Sequence, residues 1–292
     1  MRSDPEVQRM ADTWQLGLPR VPVSGRAGEL LGRGTGSSLE FQEHREYLPG
    51  DDIRHLDWAA YARADTLMLR MYREEISPRT EIFLDCSRSM LTSPPNAPAT
   101  ISVKSVVARQ LAGLFVLLAA RLGGRPQLTL IDDHTPLRRL ELESLEELRN
   151  QEFSGTRPLS QAVAENLIPS AKQSVRIVIS DFLFPHDAEP MIRRLATGCS
   201  ALWVLQTLHA WEADPTPLGG RRLIDVETGM ESDLILDEAT VQRYRERFGR
   251  MQADLSRNCR RMHARFVPIL VDAGLSSVCR GPLAQSEMIR PA

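Results

Sequence analysis

Lysine is almost missing from this chain. Of its 36 basic residues only Lys104 and Lys172 are lysines, a bias that fits base composition as well as function and indicates no mechanism by itself. Cysteine is also scarce: Cys86, Cys199, Cys259 and Cys279 lie far apart with no C-x-x-C pair, so neither zinc nor a disulfide framework is suggested and reduced thiols are the simplest reading. Charge of one sign is lacking too. A formal net charge of -2 gives no general pull toward nucleic acid or anionic membrane. The longest apolar run, Leu111 to Ala120, is about half of what a bilayer crossing needs. Residues 1–20 lack the apolar core of a signal peptide. These absences lead us to expect a cytoplasmic protein with no transmembrane segment and no nucleic-acid partner.

What is present is concentrated around Phe83-Leu84-Asp85-Cys86-Ser87-Arg88-Ser89-Met90, a short apolar strand running into Asp-x-Ser-x-Ser. Gly155-Thr156 stands just ahead of a Pro-started helix, and Ser180-Asp181 ends the apolar run Val175 to Ile179. Asp85, Ser87, Ser89, Thr156 and Asp181 together offer two carboxylates and three hydroxyls, all oxygen donors at or beyond strand ends. That is how a hard divalent cation, Mg2+ or Mn2+, is held. We expect Ser87, Ser89 and Thr156 to bind the ion directly and Asp85 and Asp181 to act partly through water. One position stays open for an outside oxygen, best a carboxylate on a partner protein. The plain alternative is that Asp85, Ser87 and Ser89 merely cap the next helix. No histidine accompanies the motif, so binding is favoured over hydrolysis. The rival is a metal-dependent phosphoester hydrolase drawing further acids from Asp51, Asp52 or Asp57.

The 292 residues suit one large domain or a domain with an appendage. From Thr80 onward apolar strands alternate with helical stretches, predicting a mostly parallel central sheet flanked by helices. Strands are expected near 80–85, 127–132, 175–180, 201–207 and 265–271. Helices are expected over 102–122, 140–150, 158–167, 185–196 and 238–263, the last as a solvated outer helix. Residues 67–72 alternate like a strand leading toward the main sheet. Three segments result: residues 1–79 as an N-terminal segment packing on the core, 80–272 as the α/β domain, and 273–292 as a tail. Leu31 to Ser38 is a Gly-rich turn with no Gly-Lys-Ser/Thr after it, so nucleotide binding is not indicated. Ser93 to Pro98 is a Pro-rich loop that could project over the site. The six histidines show no metal spacing.

At these residues the chain resembles a von Willebrand factor type A domain with its metal-ion-dependent adhesion site. Asp85, Ser87, Ser89, Thr156 and Asp181 match that motif one by one, while Phe182 stands where the motif usually has glycine. The stretch Arg45 to Trp58 (REYLPGDDIRHLDW), followed by Ala62-Arg63, resembles the signature of the bacterial domain-of-unknown-function-58 family. The resemblance runs from about residue 25 to about 270. It implies a Rossmann-like von Willebrand A fold with an N-terminal extension. It also implies a non-enzymatic, Mg2+-dependent adaptor for a MoxR-type AAA+ ATPase, which would assemble or activate other proteins. Within Arg45–Trp58, the acids Asp51, Asp52 and Asp57 are expected to pair with Arg45, Arg63 and Arg70 and so to hold structure rather than do chemistry. Glu74-Glu75 and Asp132-Asp133 are expected to be solvated charges near strand ends, Asp132 being the one to check for proximity to the ion.

Overall fold

Thr80–Asp85 and Val175–Ser180 are buried at every position, as strands covered on both faces must be. A computed structural model describes residues 1–17, 39–48, 51–74, 79–95, 102–168, 171–226 and 229–292 of the chain. Leu31–Ser38, Pro49–Gly50 and the 96–98 part of the Pro-rich loop lie outside the described residues.

In chain order come α1 (Pro5–Thr13), β1 (Trp14–Leu16), β2 (Leu39–Glu46), α2 (Trp58–Ala64) and β3 (Met68–Glu74). Then follow β4 (Thr80–Asp85), α3 (Val103–Arg121), β5 (Gln127–Ile131), β6 (Arg139–Leu140), α4 (Leu159–Ala164) and β7 (Val175–Ser180). After these come α5 (Ala188–Ala196), β8 (Ala201–Leu208), α6 (Ala210–Ala213), β9 (Gly219–Ile224) and β10 (Glu231–Leu236). The last elements are α7 (Glu238–Arg261), β11 (Arg265–Leu270), α8 (Gly274–Val278) and β12 (Ile289–Pro291). The chain divides into two units, residues 1–18 with 78–292, and residues 19–77.

The larger unit is a mixed α/β structure around a six-stranded sheet of order β11-β8-β7-β4-β5-β6, parallel except for the β5–β6 pair. Alternate strand residues feed two cores. Ile82, Leu84, Ile177, Ile179, Trp203 and Leu205 pack with Leu111, Leu114, Phe115 and Leu118 of α3. Phe83, Val178 and Val204 face Leu159, Ile192, Leu195 and Leu255 on the other side. Helix α3 is buried almost all round because α1, β1 and α8 cover its outer side. By length and composition alone it could cross a membrane, but here it is the core helix of the sheet.

Several expectations are corrected. The helix expected over 140–150 is shorter and of another kind: Arg139–Leu140 is an antiparallel edge strand, and only Leu145–Asn150 is helical, as a 3-10 helix that buries Leu145 and Leu148. The strand expected over 67–72 is present as β3, which precedes β4 and pairs antiparallel with β2, with a bulge between Phe41 and Glu43. Residues 274–291, read as a tail, form α8, a tight turn and β12; β12 then pairs with β1. Helix α7 keeps a buried stripe of Val241, Phe248, Leu255 and Cys259 on an otherwise charged surface.

Candidate metal centre

From β4 the chain adds β5 on one side and then returns to add β7 on the other, so the strand order reverses between β4 and β7. A crevice opens at the carboxyl ends of the strands at such a switch point. Asp85 ends β4, and Asp181 follows β7 directly.

Asp85 is fully buried. Its Oδ1 accepts the Ser87 N–H at 3.0 Å and its Oδ2 the Ser180 hydroxyl at 2.6 Å. Burial, then the charge of Asp181, push its carboxyl up to about 6, against the pull of those hydrogen bonds. The Ser87 and Ser89 Oγ atoms stand 3.0 Å apart. The chain then enters a 3-10 turn, Arg88–Leu91, for which Ser87 provides no side-chain cap, so capping does not account for that hydroxyl. Asp181 is buried; its Oδ1 accepts the Leu183 N–H at 3.0 Å, and its backbone carbonyl accepts from Gln206 Nε2 at 2.9 Å. Asp85, Ser87, Ser89 and Asp181 thus lie together at the carboxyl ends of the neighbouring strands β4 and β7.

Thr156 is reached through Gly155. Gly155 and Ser87 form an isolated parallel bridge, with Gly155 N–H donating to Cys86 O and Arg88 N–H to Gly155 O, both at 3.0 Å. A side chain at 155 would stand 3.1 Å from the Cys86 carbonyl oxygen and 3.2 Å from the Asp132 Cα, so glycine suits this close approach of the loop. Thr156 itself is exposed, and its hydroxyl donates to Asp133 Oδ2 at 3.1 Å. Asp133 also accepts the Thr156 and Arg157 backbone N–H groups. Slight burial raises the Asp133 carboxyl, and these hydrogen bonds outweigh it and hold it below its usual value. Asp132 is engaged elsewhere, with His134 Nδ1 at 3.0 Å and Arg138 Nε at 3.6 Å.

Lys104 and Glu212 escaped the sequence reading. Lys104, in the first turn of α3, is fully buried, and its Nζ donates to Asp181 Oδ2 at 3.0 Å and Glu212 Oε1 at 2.8 Å. Burial alone would push the ammonium down, but the charges of Asp181 and Glu212 hold it above its ordinary value. Glu212 Oε1 also accepts the Thr92 hydroxyl at 2.6 Å, and Oε2 takes the His209 N–H at 2.8 Å. His209 is buried between Asp272 and the Thr92 carbonyl. The only available signal was a lone lysine opening an apolar helix in a chain nearly devoid of lysine. Cys86 is buried, and burial pushes its thiol well up, which makes it a packing residue rather than a thiolate.

The donor set fits a small hard cation. It is all oxygen, and each Asp85 and Asp181 carboxylate oxygen already holds a hydrogen bond, which suits a role through water. The Ser87 and Ser89 hydroxyls keep lone pairs beyond the one bond they share. No group of three or more His, Cys, Asp or Glu side chains able to hold a metal occurs among the described residues. Any ion here would therefore be held by hydroxyls and two carboxylates.

The acids of the rival reading lie in the smaller unit and are turned to local partners. Asp51 binds Arg45 at 2.8 Å and the Leu48 N–H, and Asp52 binds Arg54 at 2.6 Å. Asp57 caps α2 through the Ala59 and Ala60 N–H groups. Arg63 donates to the Ala59 carbonyl.

Fold and site define an α/β protein with a buried hydroxyl and carboxylate cluster at the switch point of a mostly parallel sheet. The chain belongs to the DUF58 family, described as a protein family of unknown function, whose profile matches residues 43–257. Uncharacterized protein Rv1480 of Mycobacterium tuberculosis and uncharacterized protein Mb1516 of Mycobacterium bovis are each 23% identical over 280 residues, covering 92% of this chain and 86% of theirs. Among solved structures, the conserved hypothetical protein BatB of Bacteroides thetaiotaomicron aligns over 72% of this chain and 96% of its own, at 13% identity and a TM-score of 0.41. An aerotolerance-related membrane protein of Bacteroides fragilis aligns over 72% and 98%, at 14% identity and a TM-score of 0.36.

Proposed function

We propose that this chain is a non-enzymatic, Mg2+-dependent protein-interaction protein with a von Willebrand A-like fold. In this reading it serves in the cytoplasm as an adaptor for a MoxR-type AAA+ ATPase. The observation that carries the proposal is the switch-point cluster: the Ser87 and Ser89 hydroxyls stand 3.0 Å apart directly after Asp85, and the buried Asp85 and Asp181 carboxylates close neighbouring strands. Hydroxyl donors leave much of a divalent ion's charge available to an incoming carboxylate from a partner's Asp or Glu, which is the chemistry the ion supplies. The chain's own residues orient that oxygen: Ser180 and Leu183 hold the two aspartates, and the Gly155 bridge sets the flanking loop.

Against the hydrolase reading stand the local partners of Asp51, Asp52 and Asp57, the engagement of His209 with Asp272 and the Thr92 carbonyl, and the pairing of Asp181 and Glu212 with Lys104. Four unpaired cysteines suit a reducing compartment. The test is calorimetric titration with Mg2+ of the wild type and Asp85→Ala, alongside co-purification with a MoxR-type ATPase in Mg2+ and in EDTA. We expect binding and co-purification to be lost together in the variant and in EDTA. Unchanged titration in Asp85→Ala would remove the metal assignment, and co-purification equal in both buffers would remove the adhesion mechanism.

A further inference from the structure

Resting on the metal reading above, the geometry points to Lys104 as a built-in cation that fills the place of a second metal ion and limits the centre to one divalent ion. Three buried carboxylates meet here, Asp85, Asp181 and Glu212, and Lys104 is the cation among them. Counting charges, three negatives and one ammonium leave -2, which one divalent ion neutralises and two would overshoot.

The ammonium's position matters as much as its charge. It lies 3.0 Å from Asp181 and 2.8 Å from Glu212, bridging two carboxylates as a second metal ion does in a two-metal centre, where the ions stand about 3.5–4 Å apart. Asp181 is the carboxylate common to the proposed ion and the ammonium. Thr92 supplies a hydroxyl to the same Glu212 oxygen, so a further oxygen donor stands beside the position Lys104 occupies. Lysine suits the place because its compact charge sits on a flexible stem, whereas the planar fork of an arginine does not mimic a point charge.

The test is Mn2+ titration of the full chain, read by calorimetry and by electron paramagnetic resonance of bound and free Mn2+, in wild type, Lys104→Met and Lys104→Met/Glu212→Gln. The expected stoichiometries are one, two and one. Spin coupling between the two ions should appear only in the single variant. In EDTA, Lys104→Met should melt well below wild type, and Mn2+ should raise its Tm by more than it raises the wild type's. One ion in Lys104→Met, or two in the wild type, overturns the inference, as does a Lys104→Met chain that stays unfolded in saturating Mn2+. No ion in wild type but one in Lys104→Met would keep Lys104 as a cation substitute and reject the metal reading of the native centre. No ion in any of the three would reject both.

Discussion

Phe182 has φ +55°, in the left-handed region that favours glycine, at the position where the adhesion motif usually has one. Such a conformation costs a bulky residue about 1–2 kcal/mol. Phe182 is held there by its N–H to Ser180 Oγ at 3.1 Å and by complete burial against Phe184 and His186. Packing outweighs strain, since emptying a buried phenylalanine site costs about 3–5 kcal/mol. Phe182→Gly is therefore expected to lose about 2–4 kcal/mol in urea denaturation; a stabilised variant would mean that strain dominates. Asp85 sets a pH dependence at the same scale. Its folded carboxyl, near 6, lies above the ordinary 3.8, so the folded state takes up a proton that the unfolded chain does not. Asp85 therefore lowers stability above pH 6, and that penalty lifts as pH falls from 6 toward 4, by roughly 3 kcal/mol. Metal-free protein should have a higher melting temperature at pH 5 than at pH 7.5. Saturating Mg2+ should erase or reverse that difference, because the ion takes the proton's place.

Strands were the most legible elements, because β4, β7, β8 and β11 are short, mostly apolar segments rich in Ile, Leu, Val and Phe. The hairpin of β9 and β10 was not legible. Its residues are nearly all exposed, so no burial pattern marks it. The helix expected over 140–150 was only half legible because Leu140 belongs to the sheet edge while Leu145 and Leu148 serve the core from a short 3-10 helix, a division that charge and spacing do not reveal. The site divides in the same way. Asp85, Ser87 and Asp181 are readable because strand ends announce them, but the Lys104–Asp181 and Lys104–Glu212 pairs join residues 77 and 108 positions apart. Only the sheet order brings those together. Gly155→Ala tests the loop as an element. With backbone atoms 3.1 and 3.2 Å from the new methyl, the strands of the Ser87–Gly155 bridge must give by a few tenths of an ångström. We expect a loss of about 1–3 kcal/mol in melting experiments and weaker Mg2+ titration, since Thr156 shifts with it. Wild-type values for both would mean the loop gives way without consequence.

The larger unit is closed by residues distant in sequence. Gly17 donates to the Met288 carbonyl at 2.7 Å, and Trp14–Leu16 pair with Ile289–Pro291. Leu275, Val278, Cys279, Leu283, Met288 and Ile289 are all buried in the core around α3. At about 1.5–3 kcal/mol for each large side chain, their burial is on the order of 10 kcal/mol, comparable to the whole stability of an ordinary domain. Ending the chain after Val271 should therefore abolish the cooperative thermal transition seen by circular dichroism; a sharp melt would show that these residues are dispensable. The sequence reading took them for a tail because their apolar positions are spread over a turn, a kink and a three-residue strand, none long enough to show a period. The closure has a consequence during synthesis. Most of the sheet and α3 leave the ribosome before α8 and β12 exist, at roughly 5–20 residues per second. For several seconds the nascent chain displays a partly uncovered apolar helix, so its yield in the cell should depend on how promptly chaperones shield the face of α3 that α8 later covers.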